Sequence, residues 1–144
     1  LYLGCRFAWV NDLAVRAAAK YCDVMSYNLY RRDITDFEYP GEEKPFLVGE
    51  FHFGSLDRGM FHTGLVPVEN QGARARAYRD YVIGALRHPR CVGTHWFQWQ
   101  DEPTTGRVYD EENYQIGFVD VVDTPYVETI GASREVGRQL YLRP

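Results

Sequence analysis

The chain has 144 residues, enough for one domain with a sizeable core, and a formal net charge of -4. With no basic run to offset it, that balance argues against nucleic acid or an anionic membrane as partner, and no apolar run is long enough to span a bilayer. Aromatic residues are abundant (11 Tyr, 8 Phe, 3 Trp). They suit a large core and also a sugar-binding cleft, because pyranose rings stack on aromatic faces through their C–H groups.

Residues 1–8 read as a strand, and Asn11-Asp12 offers an N-cap for a helix with Leu13, Ala14, Ala17, Ala18 and Tyr21 at helical spacing. Residues 22–30 read as a second strand. The charged stretch 31–44, with Pro40-Gly41, reads as an exposed connection with little or no helix. A third strand, Pro45-Phe46-Leu47-Val48-Gly49-Glu50-Phe51-His52-Phe53-Gly54, follows. After a long loop, Ala73, Ala77, Tyr78, Tyr81, Val82, Ala85 and Leu86 predict a helix with an arginine-rich exposed face, stopped at Arg87-His88-Pro89. Residues 91–99 give a fourth strand, 116–122 a short extra one, and 123–142 a closing helix. Strands alternating with helices indicate parallel βα units, either half of an eight-stranded barrel or a small open sheet. The start at Leu1-Tyr2-Leu3, without Met and inside an apolar run, reads as a piece of a longer protein. Cys5, Cys22 and Cys91 lack C-x-x-C spacing and read as buried free thiols.

In α/β barrels the loops at the C-terminal ends of the strands surround the substrate, so those ends are where chemistry is sought. Here they are Arg6; Tyr27 and Asn28; Glu50 and His52; then Trp96, Gln98 and Trp99, with Asp101 just beyond. Glu50 in that place either carries chemistry, caps its strand or pairs with an arginine. A carboxylate nucleophile needs a hydroxyl or arginine beside it and an apolar wall for the sugar ring. Glycosidic hydrolysis uses two carboxyl groups, one to protonate the leaving oxygen and one to attack or stabilise the anomeric carbon. His52, His62 and His95 show no metal-ligand spacing, Ser26 and Ser55 lie in no G-x-S-x-G elbow, and no phosphate loop occurs, so neither metal nor cofactor is expected. Asp101 and Glu102 read as a solvated pair beside Pro103, and His88 as a helix-end residue.

The order Met25-Ser26-Tyr27-Asn28, Leu47-Val48-Gly49-Glu50-Phe51, Gly93-Thr94-His95-Trp96-Phe97-Gln98-Trp99 resembles strands six, seven and eight of the clan A glycoside hydrolases, (β/α)8 barrels that include the β-galactosidases. Residues 1–8 would be strand five. The segment Ile116-Gly117-Phe118-Val119-Asp120, then Thr124-Pro125-Tyr126, is similar to the closing segment of family 2 β-galactosidases. Gly49-Glu50-Phe51-His52-Phe53-Gly54, Asp57-Arg58-Gly59-Met60-Phe61-His62-Thr63-Gly64 and His95-Trp96-Phe97-Gln98 look most like the family 50 β-agarases.

The resemblance implies that residues 1–144 are the C-terminal half, strands five to eight, of a (β/α)8 TIM-barrel catalytic domain lacking strands one to four. It further implies a retaining hydrolase acting on a galactan or agaro-oligosaccharide. Glu50 would be the nucleophile, Tyr27 the hydroxyl that orients it, and Trp96 or Trp99 the sugar platform. Arg6, Asn28, His52, His62 and Gln98 would be substrate contacts. The clan's acid/base is the Glu of an Asn-Glu pair ending strand four, and no such dipeptide occurs here. The chain alone is therefore expected to be inactive, and to pair with itself or with the missing half-barrel across its open edges. The alternatives are a non-catalytic carbohydrate-binding or structural half-barrel module, and an unrelated α/β fold with a structural glutamate. A secreted or periplasmic location follows only from the family's use of extracellular polysaccharide.

Overall fold

A computed structural model describes residues 1–40 and 43–142. In chain order the elements are β1 (Arg6–Phe7), α1 (Asp12–Tyr21), β2 (Met25–Asn28), β3 (Phe46–Phe51), α2 (Gln71–Arg87), β4 (Cys91–Trp96) and α3 (Val127–Gln139). All four strands are parallel and lie in the order β1-β2-β3-β4, so each neighbours its successor in sequence. The described part of the connection 31–40 and 43–45 contains no helix, as expected, while Gly41 lies outside the described residues. Residues 116–122 form no strand; isolated bridges tie Val119 to Gln100 and Pro125 instead. Cys22 is buried, Cys91 is half-buried and Cys5 is exposed, so burial does not extend to all three free thiols.

The helices start where side chains can satisfy their first N–H groups. Asn11 Oδ1 accepts from the Ala14 N–H at 3.0 Å, and Asn70 Oδ1 from the Ala73 N–H at 2.9 Å. α1 buries Val15 and Ala19, and α2 buries Tyr81, Val82 and Ala85, all in one core with Met25, Tyr27, Phe46, Val48 and Phe51. The Phe51 and Tyr81 rings stack at 4.2 Å and fix the angle of α2 on β3.

Strict alternation would send Val48 and Phe51 to opposite faces, because they are an odd number of residues apart. Both are nevertheless buried in the helix-facing core. The ladder shows how: Val48 pairs with Thr94 and Phe51 with Trp96, so β3 carries one extra residue, a bulge. Gly49 and Glu50 consequently both face away from the helices. A side chain at Gly49 would collide with Arg6 Cδ (2.1 Å) and Ser26 Oγ (2.9 Å), so its bareness leaves room for Arg6 to cross β3.

A second constraint lies in a buried polar cluster. Arg74 falls on the same helical stripe as Tyr78, Tyr81 and Ala85, and it is fully buried rather than part of the exposed arginine face. Its Nε donates to the Phe53 carbonyl at 2.7 Å, its Nη2 to the Gly117 carbonyl at 2.6 Å and its Nη1 to Gln71 Oε1 at 3.2 Å. Burial lowers its pKa to about 10. Asp101 is not solvated: its carboxylate accepts from the Ile116 and Gly117 N–H groups (2.8 and 2.6 Å) and from the Tyr126 hydroxyl (2.5 Å). Glu102 is likewise fully buried and accepts from the Tyr114 N–H at 2.9 Å. These two acids therefore fold the segment after β4 back onto the domain.

Leaving a buried carbonyl without its donor costs about 1–3 kcal/mol. Arg74→Met removes the donors of two, so we expect unfolding free energy to fall by roughly 2–5 kcal/mol. Denaturant titration reads this directly, and an unchanged midpoint would contradict the assignment.

Candidate active site

The bulge in β3 delivers Glu50 to a cluster of donors. Arg6 Nη2 lies 3.0 Å from Glu50 Oε1, and Arg6 Nη1 donates to the Gly49 carbonyl at 3.4 Å. The Tyr30 hydroxyl donates to Glu50 Oε2 at 2.5 Å. Each carboxylate oxygen thus has its own partner, which fixes the plane of a group only 16% exposed. Burial, reinforced by the bond to Glu50, raises the pKa of the Tyr30 hydroxyl, so it stays a donor.

A cleft of about 300 Å³ opens beside this group, lined by Trp9, Tyr30, His52, Phe97, Glu112 and Tyr114 among others. Trp9, 85% exposed, stacks nearly parallel on Tyr30, with 6.3 Å between centroids and 16° between planes. His52 is buried, its ring 4.7 Å from that of Tyr30, and its Nε2 accepts from the Leu65 N–H at 2.8 Å. Burial lowers its pKa to about 3. On the loop after β4, Arg107 binds Glu102 (3.3 Å), Asp110 (2.5 Å) and Glu112, and its guanidinium lies 5.7 Å from the Phe97 ring centroid.

Of the residues singled out from sequence, Arg6, Glu50 and His52 come together here. Asn28 lies opposite Glu50 in the ladder, its buried Oδ1 without a partner among the described residues. The pairing of Glu50 with an arginine is real, yet it occurs within a cleft rather than on an open surface. Tyr27 does not reach the carboxylate. It alternates with Ser26, and this turns its ring into the core against Phe37, Tyr39 and Phe46. Tyr30, just past the strand, takes the place expected for it.

Trp96 is also turned to the helix side, among Phe51, Tyr78 and Phe118, with Nε1 donating to the Ile116 carbonyl at 2.8 Å. It offers no platform in the cleft, and its neighbour Phe97 lines the cleft instead. Trp99 and Gln98 line a separate groove with Pro103 and Thr105. His62 is exposed and stacks on Tyr114 at 4.7 Å, one ring away from the cleft. Tyr30, Trp9, Phe97, Arg107 and Glu112 were not singled out from sequence. Trp9, Tyr30 and Phe97 each follow a strand within two residues, the one signal available.

Set against known proteins, the chain is 47% identical over 148 residues to β-agarase B of Vibrio sp. (strain JT0107), covering 99% of this chain and 16% of that protein. A solved exo-β-agarase superposes with a TM-score of 0.89 at 44% identity, over 98% of this chain and 20% of the other. A further solved protein, PfGH50B, gives a TM-score of 0.89 at 43% identity, over 99% of this chain and 21% of that one. The chain is homologous to the family 50 β-agarases. It spans about one sixth of the length of β-agarase B. No protein-family model matches it.

As in any site built on a buried imidazole, the protonation of His52 is coupled to folding. Its pKa is about 3 in the fold against an ordinary 6.5, so between those values the unfolded chain binds the extra proton. The stability contributed by the neutral ring is complete above about pH 6.5 and is lost as pH falls toward 3. We expect the His52 ring resonances to hold their neutral positions from pH 8 to pH 5 in an NMR titration. A midpoint near the ordinary value would refute the buried placement.

Proposed function

We propose that this chain carries the nucleophile half of a retaining glycoside hydrolase that cuts β-galactosidic bonds of a galactan such as agarose, with Glu50 as the nucleophile. The observation that carries the reading is the carboxylate of Glu50, held between Arg6 and Tyr30 at the edge of an aromatic cleft. The homology to proteins named β-agarases supports the substrate class. The half-barrel part is supported by four parallel strands in sequential order with an open edge at β1 and another at β4.

In this mechanism a Glu50 oxygen attacks the anomeric carbon while the bond to the leaving sugar oxygen breaks, and an acid delivers a proton to that oxygen. Water, giving its proton to the now ionised acid, then displaces the Glu50 carboxylate from the same carbon and restores the starting configuration. The Tyr30 hydrogen bond and the Arg6 guanidinium hold the attacking plane, so little reorientation precedes attack. Glu112 is the other carboxylate lining the cleft among the described residues, and an oxygen of it is engaged by Arg107. That leaves it poorly placed to give a proton to a leaving group. The proton donor is supplied from outside these 144 residues, and the chain alone is inactive.

Two measurements test this reading. In the full-length protein that carries the chain, Glu50→Gln lowers the release of reducing ends from agarose by several orders of magnitude with the fold intact by circular dichroism. The first product seen by proton NMR has the β configuration. Activity retained in Glu50→Gln, or an α product, would sink the assignment.

A further inference from the structure

Trp9 has two properties that a spare surface residue lacks. It is 85% exposed yet stacked within 16° of the Tyr30 ring, and its backbone sits at φ 48°, in the left-handed region that bulky side chains avoid. Strain of this kind persists where the surrounding structure enforces it, and such positions cluster at ligand sites. Tyr30 is also the residue whose hydroxyl holds Glu50, so Trp9 is one ring away from the carboxylate. Glu112 lines the same cleft, with Arg107 engaging it and the Phe97 ring beside that guanidinium.

An aromatic ring and a carboxylate lining one cleft suit a sugar ring. The apolar C–H face of the ring lies on the indole, and the ring's hydroxyls donate to the acid. An aliphatic ligand would give the charged groups lining the cleft, Glu50, Arg107 and Glu112, nothing to bond to. The geometry points to Trp9 as the sugar platform of this cleft and to Glu112, positioned by Arg107, as the acceptor for that sugar's hydroxyls. The ligand class is a neutral galactosyl unit of an oligosaccharide, and this deepens the reading of Glu50 given above and rests on it.

The test uses the full-length protein with Glu50→Gln as background, so that bound sugar is not cleaved. Binding of an agar-derived tetrasaccharide is followed by calorimetry and by tryptophan emission. Loss of a stacking contact of ordinary strength weakens binding about tenfold. We expect that loss in Trp9→Ala and a change of less than about threefold in Trp9→Phe, which keeps a ring. A melting curve of each variant checks that the fold is kept. In Trp9→Phe the sugar-dependent change in emission shrinks by the share of the Trp9 indole, a readout that a purely structural role would not produce. On the active background Trp9→Ala raises KM with kcat little changed.

Undiminished affinity in Trp9→Ala, or an emission change of undiminished size in Trp9→Phe, overturns the proposal. If Glu50→Gln is itself active, the nucleophile reading fails, and the binding data still decide the platform. If the Glu50→Gln protein does not bind the tetrasaccharide at all, the platform falls, and the activity of Glu50→Gln still decides the nucleophile.

Discussion

Everything at the candidate site depends on one extra residue in a strand. Val48 and Phe51 are both claimed by the core, and a regular strand cannot send both to the same side. The bulge between them resolves the conflict and puts two consecutive residues on the opposite face. One is Gly49, whose missing side chain makes a channel for Arg6, and the other is Glu50, which Arg6 then meets. Removing the bulge would place Glu50 against Tyr81, where an uncompensated carboxylate is costly. The burial of two hydrophobic side chains thus determines where the Glu50 carboxylate points.

Asp101 and Glu50 sit in two different environments. Asp101 is consumed by backbone N–H groups and the Tyr126 hydroxyl, and burial raises its pKa. Together with Arg74 it staples the segment after β4 to the end of β3 and to α2, so its role is to hold the loop in place. That loop carries Arg107, Glu112 and Tyr114 to the cleft. Glu50, by contrast, has one donor on each oxygen and an open cleft beside it. The interior cluster is rigid so that the exposed wall can be precise, which is how a site borne on loops obtains fixed geometry.

The strand and helix succession was legible because apolar runs, the cap Asn11 and the stop at Pro89 are local signals. Glu50 was legible for the same reason, as an acid closing an apolar run. What the sequence concealed was facing. Tyr27 and Trp96 sit at strand ends but on the core side, and the alternation that decides this is set by the bulges in the ladder, which have no local signature. Arg74 and Asp101 misled in the other direction, as charges that read as solvent-facing and are buried. Their partners are carbonyls and N–H groups more than a dozen residues distant, a pattern that only the fold assembles. Homology supplied the family, yet it did not say which tyrosine holds the carboxylate, and the distance from Tyr30 does.

The central claim is that Glu50 becomes covalently bonded to sugar during turnover. The most direct measurement is trapping with an activated 2-deoxy-2-fluoro-β-galactoside, which slows the second displacement, followed by proteolysis and mass spectrometry of the labelled peptide. The account predicts a single fluorogalactosyl adduct on the carboxylate of Glu50. An adduct on another carboxylate, or turnover of agarose with no covalent species on Glu50, would contradict it.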